Sequence, residues 1–413
     1  MAANEDRIHI DNLKPGMFVS RLEVPWIETP FALEGFLIQG PKDIAELRPY
    51  SQHVFVDVDK GDRPDIKHRL SLIAEKSSQL ITGNKHDYEK VRKKTYEVQT
   101  EFEEEFEEAR EIRQRVKNDF KRVVANLQSS DKLEVDALKE GIHDSVESVI
   151  RNPSAFSLLT QLEKSDDYTY NHALSTSVWC AQFGRHLGLE QEEIEEIALG
   201  GMLLDVGKVK LPPKLFQITR ALSPKEKELV NLHVDKGLRL LAKTQAVSQN
   251  IMRMVATHHE RADGSGYPAG LTNDAIPLYG RIAGIVDSYD AMTTPTAYRK
   301  THLSANQAIN ELYNLRGRRF DTELIEQFIQ TVGLFPSGSL VELNSGAVAI
   351  VLEVNPLKRL LPIVMMLLDA DKNPLDGIEI IDLATYNDNG LMVNKALPQG
   401  AYGINIEELF LDA

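Results

Sequence analysis

Residues 251–259 limit what this chain can fold into more than any other stretch. Ile251, Met254, Val255, His258 and His259 recur at i, i+3, i+4, i+7 and i+8, which is one face of an α-helix. Two imidazoles therefore continue a stripe that faces a core. Imidazole is costly to bury unless both ring nitrogens find partners. A lone histidine on such a stripe is ordinarily a satisfied core residue. An adjacent pair at its end calls for a shared partner, and a divalent metal ion serves both rings.

Other segments repeat the arrangement. Ile282, Ile285, Val286 and Tyr289 form a second stripe, bordered by Asp287 and Asp290. Those carboxylates need a cation, from a salt bridge or from a metal. Ile194, Ile197, Ala198, Gly201, Leu204 and Asp205 form a third stripe, and Val206-Gly207-Lys208 stops its helix. His172 and His233 lie in two further helical segments. Each signal is weak alone. Together His172, Asp205, His233, His258, His259 and Asp287 offer imidazole and carboxylate from five helices. That donor mixture suits iron, manganese or another first-row metal. It differs from the closely spaced thiolates of a structural zinc site. Directly after the doublet, Glu260 to Pro268 is dense in Gly, Asp and Pro. It is a tight turn that could also wall a pocket.

Around this block the chain changes character. Residues 1–64 are expected to form a small α/β domain, with strands at 18–24, 36–38 and 54–58 and a short helix at 44–47. Residues 65–134 are expected as a polar linker and a charged helix. In 101–128, Phe102, Phe106, Ile112, Val116, Phe120, Val123 and Val124 fall at near-helical spacing among acidic and basic residues. The plain reading is a solvated connector. The sharper one is a helix that forms a homodimer or transmits a signal. Residues 135–335 are expected as a helical domain. Residues 336–413 are expected as a β-rich extension, with a hairpin turned at Asn344-Ser345-Gly346 and strands at 362–368 and 378–383. The fold class is mainly α.

The net charge of −15 argues against nucleic-acid partners, which need a basic footprint. It leaves room for a small anionic ligand, because a buried metal outweighs a diffuse negative surface. One cysteine, Cys180, precludes an intramolecular disulfide and suits a reducing cytoplasm, the expected location. No apolar run reaches membrane-spanning length, so no membrane insertion is expected.

The string His258-His259-Glu260, Asp263-Gly264-Ser265-Gly266-Tyr267-Pro268, Gly270-Leu271, Ile276-Pro277, followed by Asp287-Ser288-Tyr289-Asp290-Ala291-Met292-Thr293, resembles the HD-GYP family. The resemblance is strong over about 165–305. The N-terminal residues resemble a domain of unknown function that often precedes such modules. The resemblance implies an HD-type helical bundle. It also implies hydrolysis of the bacterial messenger cyclic-di-GMP to linear pGpG, and in some members on to GMP. By the same resemblance, His172, Asp205, His233, His258, His259 and Asp287 are metal ligands, with Asp205 the bridging carboxylate. Lys208 lies near the scissile phosphate, Tyr267 touches the ligand, and Arg299 is a remaining phosphate contact. Partners implied are cyclic-di-GMP and, through the GYP loop, GGDEF-type proteins.

The chain departs from the family pattern in three places. Leu204 stands where the signature has histidine, Thr296 where it often has arginine, and Tyr168 where members with three ions have glutamate. Two divalent ions, iron or manganese, are therefore the expected cofactors. Three readings follow: a phosphodiesterase active through two ions, a catalytically silent receptor for the nucleotide or a protein partner, and an HD-type hydrolase of another nucleotide.

Overall fold

The computed structural model describes residues 5–24, 29, 35–38, 40–57, 94–130, 133–162, 168–244, 247–272, 275–294, 303–355, 358, 360–386 and 390–411. Thr296, Arg299 and most of the polar stretch expected at 65–100 lie outside the described residues, as does the side chain of Tyr168. The chain divides into two compact units, residues 1–89 with 356–360, and residues 90–355 with 361–413.

The first unit contains strands β1 (Glu5–His9), β2 (Phe18–Leu22), β3 (Phe36–Leu37) and β4 (His53–Asp57), and helix α1 (Pro41–Leu47). They form an antiparallel sheet in the order β1-β4-β2-β3. Val19, Leu22, Val54 and Val56 from the sheet bury against Ile10, Leu13, Ile38 and Leu47. Strand β1 was not expected. It lies at a sheet edge and its sequence is charged, as edge strands often are.

The second unit is mainly helical. It opens with α2 (Phe102–Ser130), followed by α3 (Asp136–Arg151), α4 (Pro153–Leu162), α5 (Tyr168–Leu187) and α6 (Gln191–Leu203). Then come α7 (Pro224–Asn231), α8 (His233–Leu241), α9 (Gln249–Thr257), α10 (Leu278–Thr293), α11 (Ala305–Leu315) and α12 (Thr322–Val332). Instead of running as a solvated connector, α2 buries Phe102, Phe106, Ala109, Ile112, Val116, Phe120, Val123, Val124 and Leu127, and it packs on α3 and α4. Its charged outer face disguised an apolar stripe that belongs to the bundle core. Glu105 on α2 is fully buried and bidentate to Arg151 of α3, at 2.7 and 2.8 Å.

An aromatic chain ties the centre together. The rings of Trp179 and Tyr289 meet edge-on at 5.3 Å, Tyr289 and Phe328 at 5.3 Å, and Phe183 and Phe328 at 5.2 Å. These contacts fix α5, α10 and α12 to one another, each pair adding about 1 kcal/mol beyond area burial. They set the rotation of α10, and with it the direction of Asp287 and Asp290.

The C-terminal strands β5 (Leu340–Leu343), β6 (Val348–Glu353), β7 (Ile363–Leu368), β8 (Pro374–Asp382) and β9 (Val393–Ala396) form an antiparallel sheet in the order β8-β7-β6-β5-β9. The hairpin turns where expected, with Gly346 at φ 90°, a left-handed conformation that glycine adopts without strain. Asn152 Nδ2 donates to Glu353 of β6 at 3.2 Å and joins the sheet to the helices. A last helix, α13 (Ile406–Leu411), follows. Among the described residues, no helix is long and apolar enough to cross a membrane.

Candidate metal centre

The six expected side chains come from five helical segments that converge on one point. His172 lies in the first turns of α5. Asp205 lies two residues beyond α6, at the start of a 3-10 turn, Val206–Lys210. His233 is the first residue of α8. His258 and His259 follow α9 directly, and Asp287 faces inward from the middle of α10. Ser248 starts α9 by accepting from the Ile251 amide at 3.2 Å, which sets the phase of the apolar stripe that ends in the doublet. Ile251, Met254, Val255 and His258 are all at most 2% exposed.

Two donor groups result, each with its donor atoms within 4.8 Å of one another: Asp205 with His233, His258 and His259, and His172 with Asp205 and Asp287. Asp205 belongs to both. Its Oδ1 is 3.2 Å from His233 Nε2, and its Oδ2 is 3.3 Å from His172 Nε2. His172 Nε2 also lies 3.2 Å from Asp287 Oδ1, and His259 Nδ1 lies 3.6 Å from Asp287 Oδ2. Lys208 pairs with Asp205 Oδ2.

Hydrogen bonds at the far side of each ring aim the nitrogens. His233 Nδ1 is 2.7 Å from the Val230 carbonyl, and His258 Nδ1 is 2.7 Å from the Val255 carbonyl. A carbonyl only accepts, so both Nδ1 atoms carry hydrogen. When the rings are neutral, their Nε2 lone pairs face each other across 3.5 Å. Oδ1 of Asp205 is buried and makes no hydrogen bond among the described residues. Opposed lone pairs and an unbonded buried carboxylate oxygen form a pocket that a cation fits and an uncharged filling does not. His172 is aimed in the same way, with Nδ1 2.6 Å from Asp290 Oδ2. Such carboxylate–histidine pairs hold a ring in register and raise its basicity.

Burial would raise the Asp205 carboxyl pKa, but Lys208, His172 and His233 outweigh it and hold the group well below the usual carboxylate range. Asp287 is lowered too, with the hydrogen bond from His172 and the charge of His259 overcoming burial. Burial pushes His258 down to about 4 against the pull of Asp287. Burial and then His258 push His259 well below its ordinary value. A histidine whose pKa falls on folding contributes full stability above its unfolded value. That stability is lost as pH falls through the folded value. For His258 the window runs from about 6.5 to about 4, and the loss is on the order of 3 kcal/mol. The two depressed aspartates act only below this window. The metal-stripped chain should therefore melt progressively lower between pH 6.5 and 4, with a weaker dependence in His258→Asn. Equal pH dependence in both proteins would contradict a buried neutral His258.

The loop after the doublet closes over the centre. Glu260, 4% exposed, accepts from the Ala269 amide at 2.7 Å and the Leu271 amide at 2.9 Å. The Tyr267 amide donates to the His259 carbonyl, and the Tyr267 ring stacks on the His259 ring with centroids 4.6 Å apart. Arg261 donates to the His258 and Glu260 carbonyls and to Ser288 Oγ, linking the doublet to the residue next to Asp287. Sequence reasoning left Glu260, Arg261 and the orienting Asp290 outside the predicted ligand set. Of these, Asp290 carried a signal, three residues from Asp287 on the same stripe.

Comparison with known proteins covers most of this architecture. Residues 6–138 match a domain of unknown function (DUF3391), residues 153–324 an HD domain, and residues 340–402 a KOW domain associated with the HD domain. A cyclic di-GMP phosphodiesterase of Pseudomonas aeruginosa is 30% identical over 380 residues, 91% of this chain and 88% of the relative. A cyclic di-GMP phosphodiesterase of Thermotoga maritima is 31% identical over 169 residues, 41% of this chain and 46% of the relative. A 3'3'-cGAMP-specific phosphodiesterase of Vibrio cholerae is 31% identical over 176 residues, 42% of this chain and 34% of the relative.

Proposed function

This chain belongs to the HD-GYP family of cyclic di-GMP phosphodiesterases, and from that premise we propose that it hydrolyses cyclic di-GMP to linear pGpG at the centre built around Asp205. The observation that carries this reading is the division of one carboxylate between two donor groups, Oδ1 toward His233 and Oδ2 toward His172. Asp205, His233, His258 and His259 would hold one divalent ion, and His172, Asp205 and Asp287 a second. Iron and manganese match these donors. Such a pair of ions supplies a nucleophile at neutral pH and offsets the charge that builds on phosphorus.

The chain's own groups do the rest. In the net reaction one water adds to phosphorus, the P–O3′ bond breaks, and the 3′ oxygen leaves with a proton. Lys208, held beside Asp205, places a positive charge next to the phosphoryl oxygens. Burial raises the Tyr267 pKa, so its hydroxyl remains a donor at working pH, and stacking on His259 fixes the ring over the centre. Asp290 keeps His172 in one tautomer and orientation.

Chromatography of cyclic di-GMP incubated with the full chain and manganese or ferrous iron tests the reading. Linear pGpG is expected, and a chelator should stop its formation. Intact cyclic di-GMP in the presence of metal-loaded protein would overturn it.

Leu204 is 1% exposed and directly precedes Asp205, where the family's signature has histidine. Leu204→His is expected to bring the metal content closer to two ions per chain and to raise turnover by about tenfold. Elemental analysis and the same chromatography read both effects, and no gain in either would show that Leu204 does not limit the centre.

A further inference from the structure

The two donor groups that share Asp205 are chemically unequal. One gathers three imidazoles and the shared carboxylate, the other a single imidazole and two carboxylates. The first group offers four residues and the second three, so the second leaves more positions to solvent.

Charge separates them further. The Lys208 ammonium is paired with Oδ2 of Asp205, the oxygen on the His172 side. On the His233 side, Oδ1 carries no hydrogen bond among the described residues. An ion entering the His172 group must therefore share Oδ2 with a positive charge already in contact with it. An ion entering the other group meets an open oxygen.

Resting on the reading that this centre holds two divalent ions, we infer that the positions fill in order. The Asp205–His233–His258–His259 position binds first and keeps its ion. The His172–Asp205–Asp287 position is exchangeable, because Lys208 competes there as a built-in cation. Catalysis by this chain is then set by the supply of the second ion, and Lys208 fixes the concentration at which that ion takes hold. Lys208 has 19% of its side chain exposed and sits on a 3-10 turn, so the ammonium can swing aside without disturbing a helix.

Titration of the chelator-stripped full chain with Mn²⁺, with free ion counted by electron paramagnetic resonance, tests the order of filling. Two classes of site are expected, at least about tenfold apart in affinity. Lys208→Met, which keeps the length and removes the charge, should tighten the weaker class by about tenfold and leave the tighter one within twofold. His172→Ala should delete the weaker class alone. Two ions bound at one affinity would overturn the inference, as would a weaker class unmoved by Lys208→Met or a tight class lost in His172→Ala. Those results would leave the functional reading standing. A wild-type chain that binds no Mn²⁺ would overturn both.

Discussion

Asp205→Ala is expected to empty both cation positions at once and to lower turnover of cyclic di-GMP by on the order of 10³-fold or more, about 4 kcal/mol in the barrier. The expectation follows from geometry. Asp205 is the one residue common to both donor groups, and its two oxygens face different imidazoles. Removing His172 or His233 takes a donor from one group, whereas removing Asp205 takes one from both. The deletion also takes the partner carboxylate from Lys208 and so costs some stability. Elemental analysis of the purified variant, with circular dichroism to establish folding, checks the result. A folded Asp205→Ala protein that retains two ions would show that the centre lies elsewhere.

Gly207→Ala should be the most disruptive one-carbon change near the site. A methyl group there would stand 1.9 Å from the His233 carbonyl oxygen and 2.4 Å from the Gly237 amide nitrogen. Both are backbone atoms that no rotamer change can move. The 3-10 turn and α8 would have to part, and they carry Asp205 and His233, whose donors lie 3.2 Å apart. Overpacking of this kind costs roughly 3 kcal/mol. The variant should unfold at lower urea and bind manganese weakly even while folded. Gly266→Ala, whose added carbon would stand 2.4 Å from Glu260 Cα, should displace the loop without separating Asp205 from His233. An unchanged urea midpoint and metal content in Gly207→Ala would contradict the close contact that positions the pair.

Much of this was legible in the sequence because apolar neighbours dictate direction. Ile282, Ile285, Val286 and Tyr289 are all fully buried, so Asp287 on their flank could only turn inward. The same logic brought in Asp205 behind Ile197, Gly201 and Leu204. What stayed hidden was the work of residues whose partners are backbone or distant in sequence. Glu260 closes its loop by accepting two amides nine and eleven residues ahead, which no side-chain pattern announces. Asp290 and Asp287 look alike in sequence, yet one orients His172 through Nδ1 and the other faces Nε2, a distinction set by the rotation of α10 against Trp179. Strands β1 and β9 escaped because both are polar segments at the edges of their sheets, where alternation is weakest.

Six residues from five helical segments are expected to grip two cations across a single carboxylate. An anomalous-difference map of crystals soaked in manganese, collected at the manganese edge, would locate both ions. Two peaks on opposite sides of Asp205, one among His233, His258 and His259 and the other between His172 and Asp287, are the expected result. A map with no peak at Asp205, or with its peaks against other residues, would rule out a shared carboxylate at this centre.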